Sequence, residues 1–422
     1  MLVSKLKSLL SNQLIRNASW LGGAELVNRI FRLVTTVIIA RVFSSHDYGL
    51  AAIIYTINEF ASVFTLRYGL GAKIIQASEQ DVETVCDTSY CLNWILCIVI
   101  FITQCIAAFP IAFFYKENQL ILPICAVAVT YLMLPVFMVQ AALIQRENRL
   151  KITALCNAVQ AIVSNIATAI LALLGTGIWA IVIPMILVNP IWIVISYMNH
   201  PWRPSNFFSL KQWPEIVRFG SSMLGVDLLN KVRGNLDYLL VGRLLGIEAL
   251  GIYYFAFNAG LGISMNVISA FMASLFPHLC AVRESYKQLK ERYMSSLKMV
   301  ATVITPIIIL QASLAPFYVP IVFGAKWLTA IPILVMICLS ALPRAFAWSA
   351  ALLLDSVGKA HITLLFDLIF TLIFAIALLA SVEWGIYWVA AAVLISHVVG
   401  MPIYTALATR HVFNKSFKLS SN

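Results

Sequence analysis

The sequence predicts an all-α polytopic membrane protein of about 12 transmembrane helices, built as two parallel-repeat six-helix bundles around a central cavity. Three observations predict it. Of 422 residues, 61% are hydrophobic and only 11% charged, with a mean hydropathy of +0.90, whereas soluble chains are roughly 45–50% apolar and about 25% charged. Apolar runs of about 20 residues, the length that crosses a bilayer core, recur from end to end. Two stretches half a chain apart also repeat each other's polar residues.

Charge clusters and Gly/Pro punctuation divide the chain into spans at residues 17 to 40, 48 to 70, 89 to 114, 120 to 145, 152 to 174, 177 to 199, 215 to 241, 248 to 276, 294 to 322, 328 to 354, 361 to 381 and 384 to 409. Ahead of them, "MLVSKLKSLLSNQLIRNASW" sets Leu and Ile at helical spacing around Lys5, Lys7 and Arg16, which predicts an in-plane amphipathic helix rather than a signal peptide. No connection is long enough for a separate soluble domain. The eight Cys sit mostly inside apolar runs without metal-ligand spacing, so they read as small hydrophobes and no metal is expected.

The 29 basic residues outnumber the 18 acidic ones. In a soluble protein this would point to nucleic acid; here the positive-inside rule accounts for it. With the N-terminus cytoplasmic, most Lys and Arg fall on the cytoplasmic side. The opposite side keeps only Arg41, Lys116, Arg243 and Lys326. Both termini are therefore expected in the cytoplasm. Five basic residues are left inside spans: Arg29, Arg32, Lys231, Arg233 and Arg344.

Four of them lie on two helices that an internal repeat sets in register, and two of the four, Arg29 and Lys231, match each other. Residues 16 to 58 align without a gap on 218 to 260, matching Arg16, Ser19, Gly23, Leu26, Asn28, Arg41 and Gly49 with Arg218, Ser221, Gly225, Leu228, Asn230, Arg243 and Gly251. Glu25 meets Asp227 and Arg29 meets Lys231. A second register, offset by 210, pairs "PIAFF" at 110 with "PIVFG" at 320 and "RLKIT" at 149 with "KAHIT" at 359. The expected division is 1 to 200 and 201 to 422. Six helices per half is an even number, so the repeats are parallel and a substrate site is expected between their first helices.

In the first helix Glu25, Asn28, Arg29 and Arg32 share one face, and in the seventh Asp227, Asn230 and Lys231 repeat it, with Arg233 and Asp237 beside it. An ionised residue near a helix centre costs roughly 2.5–3.5 kcal/mol or more in lipid, so these faces must point inward. Two readings stand. Glu25 with Arg29, Asp227 with Lys231, and Arg233 with Asp237 are neutralised pairs that tie helices together; or Arg29, Arg32, Lys231 and Arg233 bind an anionic group such as a pyrophosphate while the acids couple to ions. These two helices carry one more cation than acid. Glu59, Asp367 and Arg344 are further candidates, Glu59 as a partner of a first-helix Arg and Arg344 at a kink after Pro343. Asn58, Gln104, Gln140, Asn157, Gln160, Asn165, Tyr55 and Tyr131 suit a hydroxylated substrate, or act as helix glue. No phosphate loop, nucleophile elbow or paired His is present, so neither catalysis nor a cofactor is expected.

"IIARVFSSHDYGLAAI" at 38 to 53, an apolar helix ending in Ala-Arg and then Asp47-Tyr48-Gly49 opening the next, resembles the first-loop signature of the polysaccharide-transporter (Wzx-type oligosaccharide flippase) family. "VGRLLGIEALGIYYFA" at 241 to 256 resembles its second-half counterpart. The resemblance spans the whole chain and implies the multidrug/oligosaccharidyl-lipid/polysaccharide exporter fold. It implies translocation of undecaprenyl-pyrophosphate-linked oligosaccharide across the bacterial inner membrane, for O-antigen, capsule or exopolysaccharide assembly. Its implied partners are the lipid-linked substrate, membrane lipid and, as further candidates, other glycan-assembly membrane proteins. It also implies that cavity cations hold the pyrophosphate, matched here by helix to Arg29, Arg32, Lys231 and Arg233. The alternatives are a cation-coupled multidrug exporter of the same fold and a membrane enzyme of glycan assembly. The two walls are not equivalent, since Arg32 aligns with Gly234 and Arg233 with Phe31.

Overall fold

The computed structural model describes residues 13–205 and 210–413, and every element in them is helical. The first 12 residues of the expected in-plane helix lie outside the described residues. The helices are α1 (Gln13–Val42), α2 (Ser45–Val63), α3 (Arg67–Gln76), α4 (Val82–Tyr115), α5 (Ile121–Arg146), α6 (Leu150–Leu173), α7 (Trp179–Leu187) and α8 (Asn189–Asn199). There follow α9 (Trp213–Leu244), α10 (Ile247–Cys280), α11 (Tyr286–Met299), α12 (Thr305–Tyr318), α13 (Ile331–Ser356), α14 (Ala360–Val382) and α15 (Ile386–Phe413). The chain divides into two compact units, Met1–Val232 and Arg233–Asn422.

Eight stretches among the described residues are long and apolar enough to cross a membrane, from Val82–Tyr115 to Trp179–Asn199 and from Tyr286–Phe323 to Ile386–Phe413. The other four expected spans are the long helices α1, α2, α9 and α10, the first two of each series. α1 and α9 are the helices that carry the polar stripes. The chain is thus a multi-pass, all-helical membrane protein whose least lipid-compatible helices occupy matching places in the sequence.

Local chemistry sets the breaks. The acidic-aromatic-Gly step at the start of α2 is a capping box: the Asp47 backbone N–H donates to Ser44 Oγ at 3.1 Å and the Ser44 N–H donates to Asp47 Oδ2 at 3.0 Å. Tyr48 packs edge-on against Phe43 at 6.1 Å. α7 gives way to α8 at Val188 because Pro190 has no N–H to continue the ladder. In the ninth span, π-turns at Val300–Ile304 and Val319–Phe323 adjoin Pro306 and Pro320, whose missing donors displace the hydrogen-bond register. α13 runs continuously through Pro343. The 210-residue offset reappears in the backbone: Asn148 and Gly358 precede α6 and α14 at φ 57 and 76, and Gly175 and Gly385 follow the same two helices at φ 73 and 96.

The second span departs from expectation. It was expected to run to residue 70, but α2 ends at Val63, Leu66 turns the chain at φ 49, and α3 begins at Arg67. No Gly or Pro marks this break, so punctuation misses it. α3 is short and amphipathic; Leu70 and Ile74 are fully buried in a cluster with Val85, Tyr90, Val139 and Ile216. Its C-terminal carbonyls, which a helix end leaves without partners, accept from Arg146 Nη1: Ile74 O at 3.0 Å and Ala77 O at 2.5 Å. Nη2 of the same guanidinium reaches Glu79 at 2.7 Å.

α3 meets the start of α9 within the first unit. Lys73 Nζ lies 2.5 Å from Glu215, and the backbones touch at Gly69 and Gly220. A Cβ on Gly69 would stand 2.6 Å from the Gly220 Cα, whereas one on Gly220 would meet the Leu66 side chain at 3.3 Å. The first collision is with rigid backbone and the second with a side chain that can rotate. Gly69→Ala is therefore expected to destabilise by about 1–3 kcal/mol, the usual cost of overpacking, and Gly220→Ala by clearly less. Thermal unfolding of the two variants in detergent checks the order; equal losses contradict the crossing geometry.

Candidate functional site

One of the two readings of the polar stripes pairs Arg29, Lys231 and Arg233 each with an acid on its own helix. Arg29 has that partner: its Nε donates to Glu25 Oε1 at 3.0 Å along α1. Arg32, one turn on, is exposed. α1 is held against α6 where the buried Thr35 hydroxyl donates to Phe31 O at 2.9 Å and contacts Asn165 O at 3.2 Å.

On α9 the expected pairs are replaced by partners from other helices. Lys231 Nζ donates to Glu59 Oε2 of α2 at 3.0 Å, and Asp227 stands exposed. Glu59 thus pairs with α9, not with an Arg of α1. Arg233 pairs with Asp367 of α14 rather than with Asp237. The last correction has a simple reason: a base preceding an acid by four residues is the less favourable orientation on a helix, and Asp237 is already engaged. Its Oδ2 accepts the Tyr253 hydroxyl of α10 at 2.7 Å and its Oδ1 accepts the Tyr238 backbone N–H at 3.0 Å. Asp237 is 3% and Tyr253 0% exposed.

Arg344 lies on α13, and no carboxylate among the described residues is in hydrogen-bond reach of it. A cavity of about 430 Å³ is lined by Pro343, Phe346, Pro402, Thr405 and Arg410, so residues on either side of Arg344 face it although Arg344 does not. Counting Glu59, Asp367 and Arg344 with the stripes, five cations stand with five acids, and the surplus of one cation disappears.

The uncharged candidates serve mainly as ties between and within helices. Tyr131 OH donates to Asn58 Oδ1 at 2.9 Å, and Trp192 Nε1 to Gln160 Oε1 at 2.5 Å. Gln104 reaches Ile124 O at 3.0 Å, while Asn165 bonds back to Ala161 O at 2.7 Å. These are the interhelical and intrahelical bonds expected of polar residues in a membrane bundle. Among the described residues no group of His, Cys, Asp and Glu is arranged to hold a metal ion.

The sequence reading passed over His397. It is 5% exposed on α15, its Nδ1 lies 2.7 Å from Val393 O, and its ring meets Phe370 and Phe374 edge-on. The available signal was a His in the middle of an apolar span. Tyr253 carried no such signal, because its partner Asp237 lies 16 residues away on another helix.

A family model described as "Polysaccharide biosynthesis protein" matches residues 38–332, a range that contains both stretches carrying the resemblance. The chain is 24% identical over 378 residues to the teichuronic acid biosynthesis protein TuaB of Bacillus subtilis (strain 168), covering 89% of this chain and 78% of that one. It is 24% identical over 375 residues to the lipopolysaccharide biosynthesis protein WzxC of Escherichia coli (strain K12), covering 86% and 74%. Among solved structures, the lipid II flippase MurJ in its inward closed conformation superposes with a TM-score of 0.74 at 13% identity, covering 92% of this chain and 87% of that one. That likeness establishes a shared fold.

The Asp237 hydrogen bonds generate a direct test. Tyr253→Phe deletes a buried donor to a carboxylate and is expected to cost about 1.5–3 kcal/mol, read as a lowered Tm. In an Asp237→Asn background the same change is expected to cost less. Full additivity of the two changes contradicts the contact.

Proposed function

We propose that this chain, which belongs to the polysaccharide biosynthesis protein family, is a flippase moving undecaprenyl-pyrophosphate-linked oligosaccharide repeat units across the bacterial inner membrane by alternating access. The product would feed O-antigen, capsule or exopolysaccharide assembly. The observation that carries this reading is the near full-length relationship to proteins named for teichuronic acid and lipopolysaccharide biosynthesis. The shared fold with a lipid II flippase supports it. Both termini are cytoplasmic in this proposal, and the six-helix repeats are 1 to 200 and 201 to 422. The chain acts as a carrier, not an enzyme.

The chemistry of the site supports the same reading. Arg29, Lys231 and Arg233 each face one carboxylate. A diphosphate offers more acceptor oxygens and more charge to the same donors, so it can take over a guanidinium or ammonium that a carboxylate holds in its absence. Arg32, exposed beside the Glu25–Arg29 pair, adds a further donor. In this mechanism Glu25, Glu59 and Asp367 keep the cations solvated by protein between substrates, which avoids an uncompensated charge in the membrane. Asp227 and Asp237 remain as sites where ion uptake can be coupled.

Reconstitution tests the proposal. In proteoliposomes holding a fluorescent polyprenyl-pyrophosphate oligosaccharide, the wild type is expected to expose the label to an external quencher at least tenfold faster than empty liposomes. Arg29→Ala and Arg32→Ala should slow this about tenfold each. Movement no faster than in empty liposomes, with the cognate glycan and an imposed ion gradient, overturns the flippase reading; normal movement by both folded variants overturns the assignment of these two residues.

A further inference from the structure

We propose that the cavity between α13 and α15 in the second unit is a seat for one anionic phospholipid, with an acyl chain in the cavity and the lipid phosphate on Arg410. The cavity has a volume of about 430 Å³, within the roughly 300–1,000 Å³ of ligand pockets. Pro343 and Phe346 of α13 line one side, Pro402, Thr405, Ala406 and Thr409 of α15 the other, and Arg410 stands at its end. Pro402, Ala406 and Arg410 recur at every fourth residue on an exposed face of α15. The lining therefore runs along that helix for about 12 Å at 1.5 Å per residue, close to the hydrocarbon depth of one leaflet, about half of a 30 Å core. Its one charge comes just past residue 409, the expected end of the span, where headgroups lie.

The wall suits hydrocarbon. Its two hydroxyls are already spent: Thr405 donates to Met401 O at 2.8 Å, and Thr409 donates to Thr405 O at 2.6 Å and meets Tyr293 OH at 2.9 Å. Ile403 and Leu407, next to Pro402 and Ala406, are 53% and 57% exposed, so the cavity lies beside apolar surface that lipid covers better than water. A soluble anion would leave this wall bare, whereas an acyl chain fills it.

The charge around Arg410 selects the headgroup. No ion pair among the described residues involves Arg410. The next residue, His411, has its Nε2 3.1 Å from Lys359 Nζ. α11, which carries four basic residues and one acid, Glu291, is tied to the end of α15 where Tyr286 OH donates to Phe413 O at 2.7 Å. Tyr286 and Tyr293 also pack their rings on Phe413, so this end of α15 is held in place before a lipid arrives. A basic cluster at the end of a membrane helix attracts anionic lipid; a zwitterionic lipid brings an ammonium of its own. No charged residue of the polar stripes lines the cavity, and the proposal does not rest on the flippase reading.

The test uses the full chain in neutral detergent, titrated with phosphatidylglycerol, phosphatidylcholine and a polyprenyl monophosphate, with binding read by native mass spectrometry and by Tm. Wild type is expected to bind one phosphatidylglycerol at least tenfold more tightly than phosphatidylcholine and to gain Tm with it. Arg410→Gln should bring phosphatidylglycerol down to the phosphatidylcholine level, and Ala406→Phe, which fills the cavity from its exposed side, should weaken both lipids. If Arg410→Gln does not fold, Ala406→Phe decides alone. No preference for phosphatidylglycerol in wild type, or an unchanged preference in folded Arg410→Gln, overturns the site. Wild-type affinity in Ala406→Phe places the lipid elsewhere and overturns the cavity. Tighter binding of polyprenyl monophosphate than of phosphatidylglycerol, lost in the same variants, overturns the phospholipid as the occupant.

Discussion

Cations on a membrane helix must find acids, and the geometry of this protein follows from where α9 finds them. Lys231 and Arg233 sit two residues apart, so they leave α9 in different directions and cannot share a partner on their own helix. One reaches Glu59 of α2 and the other Asp367 of α14. Each pair removes a charge that lipid would penalise by several kcal/mol and at the same time fixes the rotation of a helix. Tyr253 and Tyr238 do the same for Asp237 with neutral donors.

The duplicated sequence is used in two chemically different ways. Glu25 and Arg29 close on each other along α1, in the favourable acid-first order. Their counterparts Asp227 and Lys231 keep that order, yet the ammonium goes to another helix and the acid is left exposed. The longer reach of Glu59 offers Lys231 a partner that Asp227 does not outcompete. Breaks in the chain repeat more faithfully than charges: the positive-φ positions at 148 and 358, and at 175 and 385, keep the 210-residue offset. Backbone punctuation is set by local sterics, whereas ion pairs depend on what other helices present.

This difference explains what the sequence made legible. Hydropathy and punctuation located the long helices, because apolar length is a property of one segment. The resemblance at Asp47-Tyr48-Gly49 was readable for the same reason, and its physical content is the Ser44–Asp47 capping box. The end of α2 was not readable, since Leu66 turns the chain without Gly or Pro and α3 is stabilised by Arg146, 72 residues beyond Ile74. The candidate charges were all identified, and the Glu25–Arg29 pair with them, but the pairs of Lys231 and Arg233 were not: helical spacing proposes i, i+4 partners and carries no information about an acid on another helix. Tyr253 and His397 escaped notice because a hydroxyl or imidazole becomes significant only when tertiary packing sets it in place, Tyr253 against Asp237 and His397 against Phe370 and Phe374.

The account stands on the cross-helix pairing of α9, and a double-mutant cycle on Arg233 and Asp367 measures it most directly. Arg233→Gln, Asp367→Asn and the double variant would be compared by thermal unfolding of the full chain in lipid nanodiscs. The pairing predicts that each single change is strongly destabilising and that the double change costs less than their sum, with a coupling of about 1 kcal/mol or more. Additive losses would contradict it, because they would mean that the two charges are stabilised independently.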